Sequence, residues 1–388
     1  MKKFILIPIL GITLAGCGGS DSNSTTLPSD PVRPSTLIGA VESVNPVKNT
    51  LSVNGYTYQV SSVIYGETTI NLTDVQPDML VRVESAANDV ARIELEPTIT
   101  GNVSAINHSD KTFTVNGVQL QFDGLDNDIE VGDWVLVSSQ PAVDAGYQVL
   151  SVVEIDVEND YPHLSSIYEL EGRIFSIDHN TGTFQLGQDI TVSYSDLTQL
   201  NTGQWVEVEG ELQGDIFVAR EVDIEGYEHV DGDIEIEGIV TWVANDYSAL
   251  SLNYRGTFTI NSQTRFEDGT KTDLILGQEV EVTSVVKNQQ QIATVIEFEQ
   301  SDLDDTWSHN EFECEGFASN YNMQTRTFEM SYCEDYADLP MSNRTIVIDA
   351  QTRFENIGGS NLNGARVEVE GTIINSQNIA FEIELNDD

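Results

Sequence analysis

The sequence predicts an all-β protein that consists of a tandem array of five small five-stranded barrels. Three observations favour this class. One pattern recurs five times along the 388 residues, each copy alternates apolar and polar residues, and glycine-containing turns separate the alternating runs. Recurrence of this kind is typical of one supersecondary unit used as a module. Period-two alternation is typical of strands that bury one face.

Each repeat opens with a hairpin. A glycine-led strand is followed by a short polar turn and a second short strand, such as Phe113–Val115 after Asn107–Lys111. Alternation on both sides of a tight polar turn indicates a β-hairpin. The opening strands begin at Gly39, Gly101, Gly172, Gly238 and Gly316.

The second half of each repeat adds three more strands. A third apolar run precedes a strand with two spaced valines, which begins at a glycine in four repeats and at Asp78 in the first. Asp78 is a mild departure, because aspartate tolerates the left-handed backbone of a turn better than most residues. The glycines are Gly132, Gly203, Gly277 and Gly364, and the fifth strands begin at Ala91, Ser151, Ala219, Ala293 and Ala380.

Five short strands in one repeat predict a barrel. Such a sheet cannot cover both of its faces unless it curls, and closure also removes exposed edges. The strand count and order favour an OB-like barrel, in which residues 271–276 would take the place of a short helix between the third and fourth strands. An SH3-like barrel and a split β-sandwich are the alternatives.

The repeat boundaries divide most of the chain into five domains. Since modules of an array contact their chain neighbours, the sequence predicts five barrels in a row, with freedom at the longer junctions. The domains are expected at residues 37–98, 99–160, 168–226, 234–300 and 312–388.

The first residues of the chain predict export. Lys2 and Lys3 precede an apolar run that is too short to span a bilayer, which indicates a signal peptide over residues 1–16. The sequence Leu14-Ala-Gly-Cys17 resembles the lipobox of bacterial lipoproteins, which implies that Cys17 becomes an acylated N-terminus. Residues 17–36 are mostly small and polar and predict a flexible tether. By the same resemblance, Gly18 in place of aspartate implies sorting to the outer membrane, on its periplasmic face or at the cell surface.

The chain is strongly acidic, with 64 Asp and Glu against 17 Lys and Arg. This balance argues against nucleic acid as a partner, because phosphate binding requires clustered positive charge. It also argues against a protein that lies flat on anionic lipid. The acidic residues alternate along the predicted strands, which favours a solvent-facing row over a set of divalent-cation ligands.

Three junctions between repeats carry an aromatic residue two positions before a histidine. One interpretation is a metal site in which imidazole and carboxylate groups bind a divalent cation. The other is a recurring hinge in which the aromatic ring packs between barrels. The pairs are Tyr161 with His163, Tyr227 with His229 and Trp307 with His309, and the acidic residues next to the last pair are Asp302, Asp304 and Asp305.

Two cysteines remain after Cys17, and both lie in repeat five. Cys314 and Cys333 fall on the two arms of its first hairpin. If the turn is centred between Met323 and Gln324, they are directly opposite, at a separation that a disulfide tolerates. Export to an oxidising compartment permits the bond. The sequence therefore predicts a Cys314–Cys333 disulfide.

The repeat pattern resembles a family of bacterial lipoprotein repeats, domain of unknown function 5666, over residues 37–388. The strongest matches are Thr202-Gly-Gln-Trp-Val-Glu-Val-Glu-Gly210 and Gly364-Ala-Arg-Val-Glu-Val-Glu-Gly371. The resemblance implies an envelope lipoprotein with OB-like repeats and transfers no catalytic residue. Repeats four and five also share the run Gln-Thr-Arg-Phe-Glu at 263–267 and 351–355. Duplicated strand and turn residues explain this better than an Arg-aromatic binding spot.

These observations predict a non-catalytic, membrane-anchored envelope lipoprotein that binds or spaces a protein or polysaccharide partner. Nucleophile-elbow, metalloprotease, P-loop and dinucleotide motifs are missing from the sequence, so an enzyme is not expected and no cofactor is assigned. The alternative is an envelope protein that binds divalent cations through acidic and histidine residues at the repeat junctions.

Overall fold

The structure is a computed structural model in which strands dominate and helix is limited to single 3₁₀ turns. No helix in the described part of the chain is long and apolar enough to cross a bilayer. The structure describes residues 34–85, 90–141, 146–187, 190–227, 233–288, 290–299, 311–323, 325–331, 333, 344–349, 352–357, 361–374 and 377–386.

Repeats one and two begin the array, and each follows the predicted strand pattern. The strands of repeat one are β1 (Thr36–Asn45), β2 (Thr50–Val53), β3 (Tyr56–Tyr65), β4 (Thr68–Ile70), β5 (Leu80–Ser85) and β6 (Val90–Leu95), with a 3₁₀ turn at Leu72–Asp74. Those of repeat two are β7 (Ile99–Asn107), β8 (Thr112–Val115), β9 (Val118–Gln121), β10 (Trp134–Pro141) and β11 (Tyr147–Glu154), followed by a 3₁₀ turn at Leu164–Ser166.

Repeats three to five have the same strand order. Repeat three contains β12 (Glu169–Asp178), β13 (Thr183–Leu186), β14 (Ile190–Ser193), β15 (Trp205–Gln213) and β16 (Ile216–Ile224). Repeat four contains β17 (Asp233–Val243), β18 (Ala249–Leu252), β19 (Gly256–Thr259), β20 (Arg265–Glu267), a 3₁₀ turn at Lys271–Asp273, β21 (Glu279–Lys287) and β22 (Gln290–Phe298). Repeat five contains β23 (Glu311–Asn322), β24 (Thr327–Met330), β25 (Thr345–Val347), β26 (Arg353–Glu355), β27 (Arg366–Ile374) and β28 (Gln377–Leu385).

Repeats one, three, four and five close into five-stranded rings. The short strands β4, β20 and β26 pair outside the rings. When only the ring strands are counted, the order around each ring is first, second, third, fifth and fourth strand, as in β1-β2-β3-β6-β5. The fourth strand pairs back to the first. The closing contact between the third and fifth strands is parallel, as in β3–β6 and β14–β16. This is the Greek-key barrel of the OB-fold. The predicted all-β array of OB-like barrels is confirmed, and the 3₁₀ turn at Lys271–Asp273 lies where the short helix was expected.

The turn before the fourth strand explains the recurring glycine. The φ values are positive, between 81° and 107°, at Gly132, Gly203, Gly277 and Gly364. Glycine adopts this region freely because it has no side chain. Asp78 takes the equivalent place with φ of 65°. Aspartate is tolerated there because its short polar side chain offsets part of the left-handed strain.

The barrel cores are built from the inward-facing half of each strand. Repeats four and five each have their own core, whereas the cores of repeats two and three merge into one cluster. The core of repeat one extends onto the outer side of repeat two, where it includes Trp134 and Val153. Adjacent barrels therefore bury apolar surface against each other.

The repeats are also joined by backbone pairing, and this corrects the expectation of barrels that contact only their chain neighbours. The start of β1 in repeat one pairs in parallel with β17 in repeat four, with Thr36 opposite Ile234. Repeats two and three are also joined by strand pairing. The start of β12 pairs with β7, here antiparallel, with Leu170 opposite Ile99. The reason is a free edge: β2 covers β1 only from Val41 onward, so the first residues of β1 pair with another barrel.

Candidate functional site

The junction metal site, one of the two interpretations of the sequence, receives no support from the one candidate histidine that the structure describes. His163 is exposed at the start of a 3₁₀ turn. It belongs to neither of the groups of ligand atoms that lie close enough to share an ion among the described residues. The remaining predicted ligands, together with the lipidation site, lie outside the described residues: His229, His309, Asp302, Asp304, Asp305 and Cys17.

The aromatic residues of the described junctions pack into neighbouring barrels. Tyr161 is buried in the core cluster of repeat one, where its hydroxyl donates to Asp74 at 2.6 Å and accepts the Asn71 backbone N–H at 2.9 Å. Tyr227 is buried against Phe258 in the core of repeat four. Both contacts agree with the hinge interpretation, in which the ring packs between barrels.

The structure joins Cys314 and Cys333 by a disulfide, with the two Cα atoms 4.8 Å apart. The register differs slightly from the expected one. The hairpin ladder runs only to the pair Ala318 and Met330, and Cys333 follows the strand end. Because of an irregularity between Ser319 and Asn322, the turn is not centred where a regular hairpin would place it.

Reduction of this disulfide should destabilise repeat five. The bond closes a loop with a sequence separation of 19 residues, for which the chain-entropy model gives about 3 kcal/mol. Thermal unfolding of the oxidised and reduced protein measures the effect, with Cys314→Ser/Cys333→Ser as the permanently open variant. Two reactive thiols in the denatured protein before any reductant is added would contradict the bond.

The most unusual chemical feature of the molecule is a group of carboxylates at the outer face of repeat three. Glu169, Glu171 and Glu207 each offer an oxygen, and these oxygens lie within 4.8 Å of one another. The strand register produces the group, because Glu171 on β12 is directly opposite Glu207 on β15. Like charges in such cross-strand pairs are destabilising, so this face needs compensation from its surroundings.

Neighbouring repeats supply that compensation and bury the group. Tyr65 of repeat one donates its hydroxyl to Glu169 at 2.5 Å. Arg255 of repeat four forms an ion pair with Glu171, and the Trp205 indole N–H donates to the same carboxylate at 3.0 Å. Glu169 and Glu171 are only 5% and 2% exposed. The expectation of a uniformly solvent-facing acidic row is therefore wrong for this face.

Burial raises the pKa of each carboxylate in the group. For Glu169 burial and then the charge of Glu207 place the pKa well above its ordinary value, although the Tyr65 hydrogen bond opposes the rise. Burial raises the pKa of Glu171 to about 7, opposed by Arg255. Burial and the charge of Glu171 raise the pKa of Glu207 to about 8. The group therefore holds protons near neutral pH and has the oxygen ligands that hard divalent cations prefer.

The same strands carry opposed carboxylates in repeats four and five. In repeat four Glu237 faces Glu281. Burial raises the pKa of Glu237 to about 7 and that of Glu281 to about 9. In repeat five the second group of close carboxylates lies on β23 and β27 and comprises Glu313, Glu368 and Glu370. Each group comes from the acidic positions of the Val-x-Val pattern on the fourth strand and their partners on the first.

A second buried cluster joins repeats three, four and five. Arg173 is buried and forms an ion pair with Asp349 of repeat five. Its guanidinium lies 4.8 Å from the centre of the Tyr254 ring, which stacks on Trp205 with 6.1 Å between ring centres. The absence of a side chain at Gly203 leaves the space that Asp349 occupies. Charge pairing, cation–π contact and stacking therefore hold three repeats together at one point.

Sequence reasoning missed both clusters, because their partners come from different repeats. The sequence does contain one signal for the carboxylate group: two acidic runs, Glu169-Leu-Glu171 and Glu207-Val-Glu209, lie on strands that pair with each other in the ring. Alternation identified these glutamates as outward-facing. It could not show which outward faces another repeat covers.

No curated protein matches the chain. One similar solved structure is a copper(II)-bound tryptophan-to-alanine variant of CusF from Escherichia coli, at 18% identity over 18% of this chain and 92% of that one, with a TM-score of 0.15. Another is the CSD456 part of Unr from Drosophila, at 17% identity over 54% of this chain and 99% of that one, with a TM-score of 0.14.

The family model described as a domain of unknown function (DUF5666) matches four segments of the chain. They cover residues 100–150, 171–223, 237–297 and 337–384. The segments fall in repeats two to five, within the range over which the resemblance was expected. Together they account for more than half of the sequence, and the chain therefore belongs to the DUF5666 family.

Proposed function

We propose that this protein is a non-catalytic, membrane-anchored lipoprotein of the bacterial envelope that binds a protein or polysaccharide partner or spaces it from the membrane. The observation that carries the proposal is the joining of separate repeats through backbone pairing, as in β1–β17. The five OB-like repeats are joined by strand pairs and buried ion pairs, which supports a single stiff body. A stiff body on a tether presents its binding surfaces at a distance from the membrane. OB-like barrels bind extended chains and saccharides on their faces.

The anchor is assigned to Cys17 from the lipobox resemblance. We expect Cys17→Ser to leave the precursor unlipidated and to move the protein from the membrane fraction to the soluble fraction. Cys314→Ser/Cys333→Ser is the matched control, since it also removes cysteines but leaves Cys17 in place. Equal membrane association of both variants would refute the anchor. Density-gradient fractionation then tests the outer-membrane assignment separately.

The partner is expected to be an envelope protein or polysaccharide rather than nucleic acid. The excess of 64 acidic over 17 basic residues opposes phosphate backbones. Capture from native envelope with the full-length chain as bait tests this. Recovery of nucleic acid alone would overturn the partner class, and so would failure to retain any envelope component.

A second candidate function is divalent-cation binding, and the grouping of Glu169, Glu171 and Glu207 favours it. This set differs from the junction histidines that the sequence suggested, because it lies on paired strands of repeat three. A cation would replace the protons that burial now favours on these carboxylates. The adjoining Arg255 already neutralises one of the three charges, which limits the affinity.

Melting curves with calcium or zinc against chelator test the cation proposal. A ligand that binds only the folded state at one hundred times its Kd stabilises by about 2.7 kcal/mol, so the midpoint should rise with metal. Glu207→Gln should abolish the rise. Glu211→Gln, which changes an exposed residue of the same strand, should keep it. Equal midpoints with metal and chelator would rule this function out.

A further inference from the structure

Repeat two differs from the other barrels at the seam between its third and fifth strands. β9 and β11 form no ladder in the described part of the chain, whereas the equivalent strands pair in parallel in the other four repeats. A groove of about 530 Å³ lies beside β11, between this strand, residues 122–129 after β9 and residues 76–78 of repeat one. Residues Leu150–Glu154 line it consecutively, so the groove follows the edge of β11.

Three other repeats fill the equivalent place with their own extended backbone. In repeat four β20 pairs in parallel with β22, with Arg265 opposite Val295. In repeat five β26 pairs in the same way with β28. In repeat one the second half of β3 covers β6. Aligned on the pairing of the fourth strand with the fifth, Val295, Ile296 and Glu297 correspond to Ser151, Val152 and Val153 of the groove.

A hydroxyl fixes the filling segment in all three cases. Thr264 donates to the Ala293 carbonyl at 2.8 Å, and Thr352 donates to the Ala380 carbonyl at 2.7 Å. Ser61 donates to the Ala91 carbonyl at 2.7 Å. The shared Gln-Thr-Arg-Phe-Glu run is thus a strand that covers the fifth strand, which agrees with the duplication interpretation. The same register assigns the equivalent carbonyl in repeat two to Val149.

The chemistry of the groove specifies the occupant's charge. Asp78, Asp126, Asp128 and Glu154 line the groove, and no lysine or arginine is among its described lining residues. Partial burial and then the charges of nearby aspartates raise the pKa of Glu154, which reflects a negative local potential. The apolar residues Leu150, Val152 and Ile129 also line the groove. Such a surface favours lysine or arginine alternating with apolar residues.

We propose that the groove of repeat two binds an extended, basic segment of a partner protein, which adds as a strand parallel to β11. Backbone hydrogen bonds to the strand edge supply affinity, and the carboxylates and apolar positions select alternate side chains, as in other cases of strand addition. The inference rests on the proposed binding function and names the surface and the partner chemistry.

A labelled peptide of sequence KTRFKVK is the probe, since it keeps the Thr-Arg-Phe core of the internal strands and adds lysines. Fluorescence anisotropy with the full-length protein should show saturable binding. Asp126→Asn/Asp128→Asn keeps the side-chain shapes and should weaken binding about tenfold. The matched control Asp215→Asn/Asp223→Asn removes the same charge from exposed positions in repeat three and should bind like the parent protein.

Two altered peptides separate strand addition from simple charge attraction. The acidic peptide ETEFEVE should not bind, and a backbone N-methylated KTRFKVK should lose most of its affinity because it cannot donate along one edge. Three outcomes would each overturn the proposal. The N-methylated peptide could bind as tightly as KTRFKVK, the two pairs of Asp→Asn substitutions could weaken peptide binding equally, or KTRFKVK could fail to bind the full-length protein. If native envelope still yields a protein or polysaccharide partner in any of these cases, the proposed function stands while the groove assignment falls.

Discussion

Replacing Arg173 by methionine should lower the free energy of unfolding by about 3–5 kcal/mol. The guanidinium and its partner Asp349 are both 3% exposed, so the substitution leaves a buried carboxylate without a counter-charge. It also removes the cation–π contact with Tyr254. The loss should be cooperative across repeats three, four and five, because the cluster joins all three.

Denaturant unfolding followed by tryptophan fluorescence measures this loss. The double variant Arg173→Met/Asp349→Asn should recover most of the stability, since no charge then remains buried and the introduced amide keeps an oxygen that can accept the Thr352 backbone N–H. Arg92→Met is the control, because Arg92 forms an exposed pair with Glu84 that is worth less than about 1 kcal/mol. Equal effects of Arg173→Met and Arg92→Met would contradict the role of the buried cluster.

The second large effect is a fall in stability as pH rises from about 5 to 9. The pKa values near 7 for Glu171 and Glu237, near 8 for Glu207 and near 9 for Glu281 all lie above the ordinary glutamate value. Between that value and the raised one, the folded state binds more protons than the unfolded state. Stability therefore decreases with pH over this window, by about 3 kcal/mol for the buried Glu171 alone.

Thermal unfolding at a series of pH values tests the sign and identifies the groups. Glu281→Gln should raise the midpoint at pH 9, since it removes a carboxylate whose ionisation opposes folding, and should leave the midpoint at pH 5 nearly unchanged. The exposed Glu211→Gln should change neither. A midpoint that rises from pH 5 to 9 would show that these carboxylates are not buried as described.

The interior of each repeat could be predicted from the sequence because it depends on local signals. Alternation and turn residues located the strands, and the glycine before the fourth strand marks a left-handed turn in four repeats, with Asp78 as its substitute in the first. The disulfide partners could be named, but not their register. The irregularity near Asn322 depends on how one strand bends, which spacing does not encode.

The arrangement of the repeats could not be predicted, because it depends on contacts between residues far apart in sequence. Glu169 is acidic, outward-facing and part of an alternating strand, which is the pattern of an exposed residue. It is buried because Tyr65, more than a hundred residues earlier, reaches it from another barrel. The groove in repeat two was equally hidden, since three other repeats cover the equivalent stretch of the fifth strand with their own backbone and the described part of repeat two does not.

The most direct test of the joined body is a cross-link between repeats one and four. Ser35 donates its hydroxyl to the Asp233 carbonyl at 3.0 Å, and the parallel pairing places these residues side by side just before Thr36 and Ile234. In Ser35→Cys/Asp233→Cys the two thiols should form an intramolecular disulfide in the monomer, detected as a linked peptide by mass spectrometry. Lys48→Cys/Asp233→Cys, with one cysteine in the turn beyond β1, should form none. Free thiols in the first variant, or disulfides only between molecules, would show that repeats one and four are separate barrels that do not pair.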